Sequence, residues 1–283
     1  MGRRLRIVAG SVAALALVAV AAVGIGRASF ERRIAGEVAA LYAASDEETP
    51  SVVTEDELTG LPEPVQRWLH WARVVGKVRP SAVRLKMEGE FRLGEDRGWM
   101  PFEAEEYYTT NPPGFVWPVE MRMAPFVPIV GRDRYAGGEG SIEMRLLGLI
   151  PVADERGGVL GQGALLRYLN ETMWFPAAAL EPYLSWEPVD ADSARATMTF
   201  AGVSASAVFV FDAEGRPVDM VAERYRMDRG TVERWSTPLH AWGEFGGVRV
   251  PIEGEGVWRS DTGDFSYIRL RITEIEVGRP AAF

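Results

Sequence analysis

Arg167, Tyr168, Glu171 and Trp174 make the most concentrated polar and aromatic grouping in the chain, with Asn170 among them. Arg167 and Glu171 stand four residues apart, so on a helix they share a face and can pair. In water such a pair adds only about 0.3–0.5 kcal/mol. Held under a sheet, the same guanidinium offers a planar fork to a carboxylate or phosphate head group. The grouping is therefore either a structural ion pair with Trp174 as a packing plug, or the polar end of a ligand site. Glu223-Arg224-Tyr225-Arg226, followed by Glu233-Arg234-Trp235, has the same character. On a strand, Glu223 and Tyr225 take one face and the two arginines the other; the plain expectation is solvated charges around an inward aromatic. The candidate ligand-binding residues are Arg167, Tyr168, Glu171, Trp174, Arg224, Tyr225 and Trp235.

Other chemistries find little support. The chain has no cysteine and only two histidines, His70 and His240, so neither thiolate catalysis nor a Cys/His metal set is available. His70 reads as an exposed or satisfied helix residue. The signatures G-x-S-x-G, G-x-x-x-x-G-K-[ST] and H-E-x-x-H are missing. Glu103 with Glu105, and Glu253 with Glu255, share strand faces and read as surface; acid–base work needs a carboxyl of raised pKa in a cleft. No catalytic residue, metal or cofactor is assigned. A net charge of -9 and a pI near 5.0 argue against nucleic acid, whose phosphates need a basic face.

The positioning elements begin with Arg3, Arg4 and Arg6 ahead of an apolar run, Ile7–Gly26, long enough to cross a bilayer as a helix. Residues 1–29 read as a membrane anchor or signal, the span length favouring the uncleaved anchor, with the large domain outside the cytoplasmic membrane. Residues 30–61 read as a helix with Ile34, Val38 and Leu41 on one face, then an acidic linker over 45–59. Residues 62–279 read as one domain. It opens with a helix over Pro62–Val75 stopped by Gly76. From Ala82 the period becomes two, with Val83, Leu85 and Met87 alternating with Arg84, Lys86 and Glu88. Hairpin-spaced strands continue nearly to the end, with Val232–Phe245 as one of them, interrupted by a helical insertion over 161–184 in which Pro176 stops one short helix and opens a second. The expected fold is α+β, mainly β: a large curved antiparallel sheet or partly open barrel covered by that insertion, plus the N-terminal transmembrane helix. Nine tryptophans and ten methionines, including Trp117, Met121, Met123, Met144, Met198, Phe209 and Trp258 on strand faces, suit an adaptable apolar interior.

The run Arg167-Tyr168-Leu169-x-Glu171-x-x-Trp174-x-Pro176, with Gly148–Val152 before it and Glu223–Tyr225 and Trp235 after it, resembles a widespread bacterial domain of unknown function. Members of that family often carry an N-terminal membrane segment and a helix like PEPVQRWLHWARVVG; the likeness covers Leu61 to Val277. The order of sheet and helical cover is also similar to envelope lipoprotein carriers, which implies a half-barrel able to hold acyl chains and transfers no residues. The expected function is a membrane-anchored extracytoplasmic domain that binds an apolar or acyl-bearing ligand, Arg167 meeting its head and Glu171 orienting it. The alternatives are a structural or interaction domain of the envelope with a solid core, and an enzyme using the Arg167/Glu171 region.

Overall fold

Strand alternation from Ala82 onward builds a single antiparallel sheet in a computed structural model that describes residues 2–45, 51–261 and 263–283. Its first half runs β1 (Ala82–Phe91), β2 (Met100–Thr110), β3 (Pro113–Ala124), β4 (Val127–Ala136), β5 (Glu139–Leu146) and β6 (Ile150–Arg156). The second half runs β7 (Leu184–Asp190), β8 (Ser193–Phe200), β9 (Val203–Phe211), β10 (Pro217–Arg226), β11 (Thr231–Ser236), β12 (Leu239–Phe245), β13 (Val248–Arg259) and β14 (Phe265–Val277). The spatial order is β6-β5-β4-β3-β2-β1-β14-β13-β11-β10-β9-β8-β7, with β12 also paired to β13. The sheet curls into a half-barrel with short helices, as the sequence leads one to expect. β1 and β14 join the halves at the centre, pairing from Val83 with Val277 to Phe91 with Ile268.

That order leaves β6 and β7 at the two open edges, and the chain between them has to cross the concave side. It does so as α3 (Val159–Glu171), followed by 3-10 turns at Thr172–Trp174 and Pro176–Leu180. The second helix expected after Pro176 is thus only a 3-10 turn, and the chain enters β7 at Leu184. Both sides of α3 are used: Leu165, Leu166 and Leu169 are buried, and so is Glu171.

Before the sheet, α1 (Gly2–Ala43) is unbroken. It is exposed around its apolar first half and is the one helix among the described residues long and apolar enough to cross a membrane. Its second half packs on the convex side. Phe30, Ile34, Val38, Leu41 and Tyr42, at helical spacing, are buried against Tyr107, Val116 and Val130. Arg132 pairs with Glu37 at 2.5 Å, and Arg33 with Glu143 at 2.6 Å. The sheet is consequently covered on both faces.

Residues 46–50 of the expected acidic linker lie outside the described residues. The rest is more structured than a tether: Val53 and Leu58 are buried, and the Val53 N–H donates to the Lys77 carbonyl. Two apolar side chains in a charged segment were enough to bind it to the core. α2 (Glu63–Ala72) ends at Arg73, in the left-handed conformation at φ 61, rather than at Gly76, because the chain turns back to bury Val74. Its Trp68 is fully buried and stacks on Phe209 and Phe211. His70 is exposed beside Glu55.

Candidate functional site

Arg167 points from α3 into the sheet and spends every face of its guanidinium on carboxylates. Nε donates to Glu171 Oε1 at 2.7 Å, Nη1 to Asp133 Oδ2 at 2.6 Å, and Nη2 to Glu106 Oε1 at 2.8 Å. The flat cation also lies over the rings of Phe115 and Trp117, at 4.8 and 4.6 Å. Tyr108 donates to the other oxygen of Glu171 at 3.0 Å. Two of these acids were not singled out in the sequence. Glu106 lies on the face of β2 that buries Phe102, Ala104 and Tyr108, and Asp133 on the face of β4 that buries Ile129 and Tyr135. An acid at an apolar strand position was the available signal; Glu103 and Glu105 fall on the other parity.

One guanidinium cannot neutralise three carboxylates, two of them, Glu106 and Glu171, buried and the third, Asp133, partly exposed. Burial drives the Glu106 carboxyl well above its ordinary value of 4.5, against the pull of Arg167, and the neighbouring Glu171 charge drives it further. Burial raises Glu171 too, while Arg167 and Tyr108 oppose the shift. Oε2 of Glu106 has no donor among the described residues, and the Glu171 carboxyl is its neighbour. The two carboxyls titrate as a pair, and burial makes that pair hold a proton more tightly than free carboxylates do. The folded protein holds that proton to a higher pH than the unfolded chain does. Stability contributed by the site is present at acidic pH and falls as pH rises above about 4.5 toward the folded-state value. Glu106→Gln mimics the protonated acid, accepting from Arg167 and donating to Glu171. Its melting temperature should exceed wild type at pH 8 and match it near pH 4.5; equal pH profiles for the two proteins would remove the shared proton.

On the concave side of this cluster lies a cavity of about 250 Å³. Met87, Met121, Met144 and Met173 contribute thioethers, and Trp117, Trp174, Trp235 and Tyr267 contribute rings. Arg167, Glu171 and Asn170 form part of one wall, and Arg224 lies on another. Arg224 makes no ion pair among the described residues. Its guanidinium stacks on Trp235 at 4.4 Å, and its hydrogen bond to the Gly163 carbonyl is long at 3.5 Å.

Of the seven residues chosen from sequence, Arg167, Glu171, Trp174, Arg224 and Trp235 meet at this cavity. Tyr168 does not. It is fully buried behind α3, donating to the Thr109 carbonyl at 2.9 Å and packing on Tyr108 and Phe175. Tyr225 lines a separate hollow of about 50 Å³. The expectation of outward arginines around an inward aromatic on β10 is reversed. Met220 and Ala222 are buried and fix the inward parity, which carries Arg224 to the cavity and buries Arg226 against Asp228 and Glu233. Met123, expected on an inner face, is exposed beyond the end of the cavity.

A family model matches residues 51–270. The chain belongs to DUF6544, a family of unknown function. The motif from Arg167 to Pro176 and every residue of the carboxylate cluster fall inside the span of DUF6544. No curated protein matches this DUF6544 chain. Among solved structures, a LolA superfamily protein, NE2245 from Nitrosomonas europaea, is similar with a TM-score of 0.40 at 9% identity, covering 76% of this chain and 94% of its own. A DUF1329 family protein from Desulfovibrio piger is similar with a TM-score of 0.42 at 7% identity, covering 76% and 92%. These likenesses concern fold alone, and no ligand or residue role passes from those proteins to this DUF6544 member.

Proposed function

We propose that this protein is a membrane-anchored extracytoplasmic domain that holds an apolar or acyl-bearing ligand between the half-barrel and α3. One observation carries the reading: an apolar, methionine-lined space of about 250 Å³ beside the buried cluster, where a solid core would have closed. Pockets for drug-sized ligands run to about 300–1,000 Å³, so this one suits a single aliphatic chain better than a lipid with several. The anchor is the exposed apolar run of α1, retained in the membrane with the half-barrel on the outer side.

The head of the ligand meets Arg224 rather than Arg167. The donors of Arg167 are already committed to three carboxylates, whereas those of Arg224 are largely free at the wall of the cavity. An anionic head is the complementary group. Titration of the full chain in detergent with a fluorescent fatty acid should give saturable binding. Arg224→Ala should weaken it by about tenfold, the equivalent of about 1.4 kcal/mol, while Arg224→Lys restores part of the loss. Binding that is absent, or indifferent to Arg224, would overturn the assignment.

A catalytic reading has one observation in its favour, the raised carboxyl of Glu171 at the cavity wall, which suits a proton donor or acceptor. Glu171→Gln separates the two: a binding protein keeps its ligand affinity, and an enzyme loses turnover with affinity intact.

A further inference from the structure

We infer that the half-barrel does not hang from its anchor but docks on the same membrane, with the tips of the β3–β4 and β5–β6 hairpins seated in the lipid interface beside α1. The inference rests on the anchor reading above. α1 and β3 run antiparallel along the convex side: Leu41 lies against Gly114, and Arg27 pairs with Glu120. From Leu41 back to Arg27 the helix covers about 21 Å, and from Gly114 to Glu120 the strand covers about 20 Å. Helix and strand therefore keep step, and β3 continues past Glu120 in the direction of the apolar half of α1.

What lies at that end is apolar and exposed. The β3–β4 turn presents Met123 at 48% and Phe126 at 97% exposure, and the start of β6 presents Ile150 at 52%. The two turns are neighbours, since the Leu147 N–H donates to the Pro128 carbonyl. The β5–β6 turn touches α1 where its apolar run ends. A Cβ on Gly26 would come within 3.0 Å of Leu149 Cδ1, and one on Gly148 within 3.0 Å of the Arg27 Cα, so two glycines permit the approach. Ala22 and Val23, a turn inside the apolar run, are already half-covered.

Both turns also hold a bulky residue in the left-handed region, Phe126 at φ 65 and Leu147 at φ 56. Glycine would take these positions without strain. An aromatic ring kept there, almost wholly exposed, is costly in water and favourable at a lipid surface. The span Ile7–Gly26 is about 30 Å long, the thickness of the hydrocarbon layer, which puts Gly26 and Leu149 level with its boundary. The cavity lies toward the same end: Met121 lines it, and Met123, two residues on along β3, is at the tip. A single acyl chain leaving the outer leaflet would meet the tips first.

The absence of native cysteine makes the test direct. The full chain is placed in phosphatidylethanolamine/phosphatidylglycerol nanodiscs with a nitroxide on Phe126→Cys, Ile150→Cys, Leu15→Cys or Val277→Cys. Val277 pairs with Val83 at the far end of the sheet, beside Tyr42. Collision with oxygen relative to a water-soluble nickel chelate should be severalfold higher at Phe126 and Ile150 than at Val277, approaching Leu15. If Leu15 itself reads as aqueous, the anchor fails and this inference with it. If Leu15 reads as lipid while Phe126 and Ile150 match Val277, the anchor stands and the docking is overturned.

Discussion

Arg167→Met should lower the stability of the protein at pH 7 by about 3–5 kcal/mol, the loss measured when one partner of a buried ion pair is removed. For a chain of this size that corresponds to a fall in melting temperature of roughly 10 °C. The loss comes from what the substitution leaves behind: Glu106, Glu171 and Asp133 facing one another with their shared cation gone. Lower pH supplies protons in its place, so the deficit should shrink markedly at pH 5. Adding Glu106→Gln and Glu171→Gln to Arg167→Met should recover most of it, since the two fully buried acids are then neutral and only the partly exposed Asp133 is left without the cation. Thermal unfolding of the three proteins at the two pH values reads all of this. A deficit that does not change with pH would mean that the arginine acts by packing on Phe115 and Trp117, through the area of its flat face, and not by charge.

The same cluster shows where sequence reading reaches and where it stops. The pairing of Arg167 with Glu171 was open to inspection because both lie on one helix. Glu106 and Asp133 come from strands 61 and 34 residues away, and only folding brings them in. Their burial was nevertheless legible from parity: Glu106 keeps step with Phe102, Ala104 and Tyr108, and Arg224 keeps step with Met220 and Ala222. The edge strands β6 and β7 were not legible. A strand betrays itself by one wet and one dry face, and at an open edge both faces are wet, as the near-continuous exposure of Ile150–Arg156 and Leu184–Asp190 shows. Pro151 and Pro188 fit such edges, where a missing N–H faces no partner. The break of Val232–Phe245 into β11 and β12 had a sequence signal, Pro238, whose missing N–H cannot continue the ladder. Asp219 holds the chain at that point, accepting from the Ser236 hydroxyl and the Thr237 N–H.

Ile252→Trp combined with Leu270→Trp should abolish ligand occupancy while leaving the fold in place. Both side chains line the cavity from β13 and β14, away from the carboxylate cluster. Indoles at the two positions take the space an acyl chain would fill. Overpacking a filled core costs about 1–3 kcal/mol per site, and indoles that enter open space cost less, so the protein should still unfold in one transition at a modestly lower temperature. Lipids extracted from the purified full chain and weighed by mass spectrometry should fall from about one per chain to the level of a detergent blank. The contrast with Arg167→Met is what gives the pair its force. If the cluster is structural and the cavity is the site, Arg167→Met with both glutamines should be stable and still carry ligand, and the double tryptophan variant should be stable and empty. Retention of lipid by the filled variant would place any bound lipid on the outside of the protein, along α1 and the hairpin tips, and the half-barrel would then be a support for that surface and not a container.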